Sequence, residues 1–208
     1  MFDENKNTVD VFNEMAEVYQ KNYMNVDIYQ EPLEYLLTNL NSEDSILDLA
    51  CGPGNVVQYL ANKNNNLNLT GLDLSDEMIR LAKLNVPKAK FEVADCRDLN
   101  HLESRYNAIV CNFLLPYLTE NEIEKLFSEV YNLLVPNGIF YLGFITEDQN
   151  RLAIVKSSKG HNVSVNYYSI DFVTKVLHDN KFFIRYSKDF ASINLNQEQT
   201  DFIIIASK

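Results

Sequence analysis

Ser45-Ile46-Leu47-Asp48-Leu49-Ala50-Cys51-Gly52-Pro53-Gly54-Asn55 is the stretch that decides the fold of this chain. A short, mostly apolar run goes straight into a Gly-Pro-Gly turn, which is the pattern of a buried strand ending in a tight loop. Asn55 stands where it can cap a following helix, and the polar residues 62–66 stop that helix. Residues 67–73 then read as a second strand, so the unit is βαβ.

Outward from this unit the alternation continues. Ser75 caps a helix carrying Met78 to Leu84, and residues 90–94 form a third strand that ends at Asp95. Residues 106–112 give a fourth, fully apolar strand. Thr119 caps an amphipathic helix through Leu133, which Pro136 and Gly138 stop before a fifth strand at 139–144. Past Thr146 the pattern loosens into a polar stretch as far as Asn166, and Ser169 caps one more helix to about Asp179. Residues 182–186 and 201–206 are the last two strands. Their connection is too short for a crossover helix, so they form an antiparallel hairpin at the far side of the sheet. Upstream, apolar residues from Val9 to Leu40 recur at helical spacing in two helices broken near Asn25.

The expectation is an α/β three-layer sandwich with a mostly parallel seven-stranded sheet, its last strand antiparallel, under an N-terminal helical lid. Residues 1–208 form one domain on this reading, with 1–41 as helical cap and 42–208 as Rossmann-like core.

Composition narrows the function. The 208 residues carry 18 Lys plus Arg against 29 Asp plus Glu, a net charge of −11. Such a chain repels phosphate backbones and anionic membranes, so neither nucleic acid nor membrane is an expected partner. The first residues lack the basic and apolar regions of a signal peptide, and no apolar run reaches membrane-spanning length. Three cysteines, Cys51, Cys96 and Cys111, have no metal-ligand or CxxC spacing and read as small packing residues in a reducing, cytoplasmic setting. His161, in the polar stretch, is a surface histidine first and a base second.

A ligand on an open parallel sheet binds beyond the carboxyl ends of the strands, where the strand order reverses. Gly52 and Gly54 let the loop backbone approach it closely, and Asp73, about 20 residues on, is placed to accept hydrogen bonds from a ribose diol. An adenosine-bearing cofactor follows. A dinucleotide would want a glycine where Val57 stands and no carboxylate where Asp48 stands. A cofactor with a sulfonium and an ammonium instead of phosphate favours such carboxylates, and Asp95 adds an acceptor suited to an adenine amino group. S-adenosylmethionine matches.

Residues 46–54 resemble the first motif of the class I S-adenosylmethionine-dependent methyltransferases of small-molecule type. Gly71-Leu72-Asp73-Leu74-Ser75 with Met78, Ala94-Asp95-Cys96, Asn112 and Pro136-Asn137-Gly138 resemble the later motifs in order. The resemblance implies that Asp73 holds the ribose hydroxyls, that Asp95 and the Cys96 amide meet the adenine, and that Leu74 and Met78 flank it. It further implies that Gly52, Gly54 and Asn112 lie along the methionine moiety and that Tyr19 covers the cofactor. Asp48 and Ala50 complete the cofactor set, with Ala50 replacing the family's usual first loop glycine. The implied activity is methyl transfer to a small-molecule acceptor. No general base and no oligomeric state is legible. A non-catalytic S-adenosylmethionine-binding regulator and an NAD(P)-dependent oxidoreductase are the alternatives.

Overall fold

The structure is a computed structural model, and it describes residues 4–157, 160–194 and 197–208. The N-terminal segment is helix α1 (Glu4–Tyr23), a 3₁₀ turn at 27–29 and α2 (Gln30–Thr38), with the break falling around Asn25 as the periodicity requires. Then β1 (Ser45–Leu49), α3 (Asn55–Lys63), β2 (Asn68–Asp73), α4 (Asp76–Asn85), β3 (Lys90–Val93) and β4 (Tyr106–Asn112) alternate. After a second 3₁₀ turn at 115–117 come α5 (Glu120–Leu133), β5 (Leu134–Thr146), β6 (Arg151–Lys156), β7 (Asn162–Tyr167), α6 (Ile170–Asp179), β8 (Phe183–Asn194) and β9 (Gln197–Ser207).

Seven strands form one sheet in the order β3-β2-β1-β4-β5-β9-β8. Pairing is parallel from β3 to β5, and β9 runs antiparallel to both β5 and β8. The order reverses at β1, so the 50–54 loop opens onto the crevice between β1 and β4. Both sheet faces are buried, which is why β1 and β4 read as apolar runs. One face packs Leu47, Leu49, Ile109 and Phe140 against α5 and α6, and the other packs Ile46, Val110 and Tyr141 against α2 and α3.

Ser75, Thr119 and Ser169 each accept a hydrogen bond from the backbone three residues on, and Thr119 with Glu122 completes a capping box. The 134–138 segment is part of β5 rather than a plain helix stop. The register jumps from Tyr106↔Leu134 to Ala108↔Ile139, and Asn137 takes φ 62° to absorb the extra residues.

Three expectations are corrected. Gly54, with φ 82°, occupies the N-cap of α3, whereas Asn55 is its first residue and bonds the Val56 amide. The polar stretch after Thr146 contains the antiparallel pair β6–β7, which makes a separate two-stranded sheet. Finally, β8 and β9 extend far past the apolar cores at 182–186 and 201–206, pairing from Phe183↔Ser207 to Asn194↔Gln197.

Candidate functional site

A cavity lies over the carboxyl ends of β1, β2 and β4, roofed by α1. Of the sequence-derived site residues, Tyr19, Ala50, Gly52, Asp73, Leu74, Met78, Asp95, Cys96 and Asn112 line it, whereas Asp48 and Gly54 lie behind the wall. Gly54 shapes the loop from there. Its left-handed backbone suits glycine, and an added Cβ would sit 3.4 Å from Ala82 on α4.

Asp73 ends β2 with both oxygens engaged by backbone: the Gly52 amide donates to Oδ2 at 2.8 Å and the Ser75 amide to Oδ1 at 2.9 Å. Burial raises its pKa, and these N–H groups, with that of Leu74, pull it back. The carboxylate thereby ties the β1 loop to the start of α4. Ser75 then reaches α1, its Oγ donating to Asn13 Oδ1 at 2.5 Å while accepting from the Met78 amide.

Asp48 is 2% exposed, and its Oδ2 has no hydrogen-bond partner. Burial, then the charge of Asp73, pushes its pKa well above the usual carboxylate range. Asn112 Oδ1 is also buried and unpartnered. It lies over Gly143 of β5, where a Cβ would come within 2.0 Å of that oxygen. Asn112, which lines the cavity, therefore offers an acceptor without a donor, one that a ligand bearing N–H groups satisfies.

Asp95 holds a partner the sequence reading missed. Arg97 donates from Nη2 to Oδ2 at 2.6 Å and from Nε to Oδ1 at 3.0 Å, and it reaches Glu122 at 3.4 Å. Burial alone would raise the Asp95 pKa, but the Arg97 contacts hold it below the usual range. The Asp-x-Arg spacing was the available signal. Burial pushes the Cys96 thiol up to about 12, and Cys51 and Cys111 are raised as well, so these thiols stay protonated packing groups.

The opposite end of the cavity is aromatic. Phe12, Tyr19, Phe113 and Tyr117 line it, with Phe12 edge-on to Tyr117 at 5.2 Å and to Tyr19 at 6.0 Å. Phe113 takes φ 62° at the end of β4, its amide bonded to Gly143 O. Among the described residues no histidine lines the cavity. His161 on the β6–β7 hairpin meets Glu14 of α1 at 3.1 Å, so it fastens the hairpin to the roof. Tyr168 is buried outside the cavity, its hydroxyl donating to Leu118 O and its ring stacking on Phe172.

Known proteins share this organisation. Residues 46–138 match the family model described as Methyltransferase domain. YqeM of Bacillus subtilis is 28% identical over 204 residues, 92% of this chain and 81% of that protein. The carboxy-S-adenosyl-L-methionine synthase of Nautilia profundicola is 33% identical over 155 residues, 71% of this chain, which spans 63% of that relative's length. The Burkholderia thailandensis 1,6-didemethyltoxoflavin-N1-methyltransferase, solved with 1,6-didemethyltoxoflavin and S-adenosylhomocysteine, superimposes with a TM-score of 0.76 at 16% identity. That likeness covers 98% of this chain and 88% of the other and shows the shared fold. Taken with the motif order and the sheet order, these matches show that residues 46–138 match a methyltransferase domain and that the chain has the fold of the S-adenosylmethionine-dependent methyltransferases.

Proposed function

We propose that this chain moves the methyl group of S-adenosylmethionine to a small-molecule acceptor, with the cofactor lying along the cavity from Asp95 to Asn112. The observation that carries the reading is the charge of the site. Asp73 and Asp95 line it, and the one Lys or Arg among the described lining residues is already ion-paired. A pyrophosphate would find no free cation there, whereas a sulfonium and an ammonium would find carboxylates.

On this reading Asp73, pre-set by the Gly52 and Ser75 amides, takes the ribose hydroxyls, and Leu74 and Met78 flank the adenine. The Cys96 amide and the Asp95–Arg97 pair stand at the adenine edge. Gly52 and Asn112 border the methionine, with Gly54 setting the loop and Tyr19 covering it. When bound, the cofactor supplies an electrophilic methyl. The protein's part is to hold the acceptor in line and close to it, which supplies much of the rate, and to exclude water under α1. Burial, followed by the phenols of Tyr117 and Tyr23, keeps the Tyr19 phenol protonated, so it contributes surface and a hydrogen bond rather than a base.

Titration calorimetry with S-adenosylhomocysteine, S-adenosylmethionine and NAD tests this. The first two should bind one to one and NAD should give no heat. Heat from NAD alone would favour an oxidoreductase, and binding with no methyl transfer to any acceptor panel would favour a regulator.

A further inference from the structure

The aromatic end of the cavity has a composition of its own. Its lining rings are Phe12 and Tyr19 from α1, Phe113 just after β4 and Tyr117 from the 3₁₀ turn that follows, with Tyr23 of α1 and Tyr167 of β7 next to them outside the lining. They adjoin one another. Tyr19 and Tyr23 lie 4.7 Å apart, and the Tyr117 phenol, raised in pKa first by burial, faces those of Tyr23 and Tyr167. A carboxylate stands behind the rings: Asp201 accepts from Tyr29 at 2.6 Å and, after burial, helps raise the pKa of Tyr23.

Cations at this end are committed elsewhere. Arg97 lies at the other end, held by Asp95 and Glu122, and Arg151, 4.3 Å from the Tyr167 ring, is ion-paired with Glu147. A carboxylate or phosphate acceptor would therefore be desolvated with no free cation among the described lining residues to pair with it, inside a chain of net charge −11. A cationic head is favoured instead, because ring faces and carboxylates both attract it.

We infer that the acceptor is an amine, seated in this tyrosine-rich cage, which favours the positive charge the nitrogen gains on methylation. The inference rests on the methyl-transfer reading above. The amine reacts in its neutral form: its lone pair forms the new N–C bond as the C–S bond breaks, with that electron pair going to sulfur. Charge thus passes from sulfur to nitrogen. The surplus N–H proton leaves to water afterwards, or the ammonium product departs with it.

Phenyltrimethylammonium imitates the charged product, tert-butylbenzene is its neutral isostere, and benzoate is an anionic control. Each is titrated into the full chain with and without S-adenosylhomocysteine. The ammonium probe should bind at least about tenfold more tightly than the other two. Tyr117→Leu and Phe12→Leu, checked by thermal melting for folding, should lose that preference, and Tyr117→Phe, which keeps the ring, should retain it. Equal or tighter binding of benzoate or the neutral isostere, no binding of any probe, or an unchanged preference in both folded Leu variants overturns the inference. Failure of S-adenosylhomocysteine to bind counts against the cofactor reading alone, since the ranking of probes on the free chain still decides the cage.

Discussion

The two ends of the cavity are built on different principles. At the Asp73 end almost every polar group already has a protein partner: backbone amides saturate Asp73, Arg97 brackets Asp95, and Ser75 both caps α4 and holds α1. At the Asn112 end there are rings, a left-handed Phe113 and an acceptor oxygen with no donor. The first end is organised before any ligand arrives, so binding there pays little ordering cost. The second leaves contacts unmade, as suits a place where a variable molecule must be accepted.

This contrast can be sharpened from its least tolerant position downward. Gly143→Ala drives a Cβ into Asn112 Oδ1, and relief requires the side chain or β4 to move. We expect a stability loss of about 1–3 kcal/mol, as for other overpacked sites, together with weaker S-adenosylhomocysteine binding. Chemical denaturation and calorimetry on one preparation check both, and wild-type values would mean that the Asn112 end is looser than drawn. Ser75→Ala should cost about 1 kcal/mol through loss of the N-cap, and it should also loosen α1 by removing the link to Asn13. Denaturation gives the first and proteolysis within α1 the second; an effect on stability alone would detach the roof from the pre-set end.

Asp48→Asn should produce a trend rather than a step. The carboxyl is raised by burial, so the folded chain keeps a proton that the unfolded chain releases above about pH 4, and wild-type stability falls as pH climbs toward the folded value. The Asn variant has no such proton. Its melting temperature relative to wild type should therefore rise steadily from pH 4 to pH 7, and a flat difference would show that Asp48 is not buried as an acid. The smallest effect concerns α1, which packs on α4 and β7 but lies outside the sheet. Hydrogen exchange of residues 9–25 should slow on adding S-adenosylhomocysteine, and Tyr19→Ala should reduce that protection without lowering the melting temperature of the free chain. Equal exchange in both states would make α1 a fixed scaffold.

How much of this was legible follows the same divide. The β1–β5 half announced itself because strands buried on both faces are apolar runs and because Ser75, Thr119 and Ser169 are cap residues followed by helical periodicity. Asp73 was found from loop spacing alone. The second half was harder. In β6 the outward residues are Leu152 and Ile154, 62% and 70% exposed, while Val155 packs with Val11 and Met15 of α1, so the usual alternation carries no usable sign. The outer parts of β8 and β9 are polar because an edge hairpin leaves them half in water, and Lys188 or Asp189 there reads as loop. Arg97 escaped because a side chain pairing two residues back leaves no periodic trace. The meeting of Phe12 and Tyr19 with Tyr117 is set by tertiary convergence, since α1 and the 3₁₀ turn after β4 lie about 100 residues apart.

The central claim is that Asp73, fixed by the Gly52 and Ser75 amides, is what the cofactor's ribose meets. The most direct test is the affinity of S-adenosylhomocysteine for wild type and for Asp73→Ala, measured by calorimetry at the same pH, with thermal melting to confirm that both are folded. The account predicts a loss of about 1.5–3 kcal/mol, the scale of a hydrogen bond to a charged group. Equal affinity in a folded variant would contradict it.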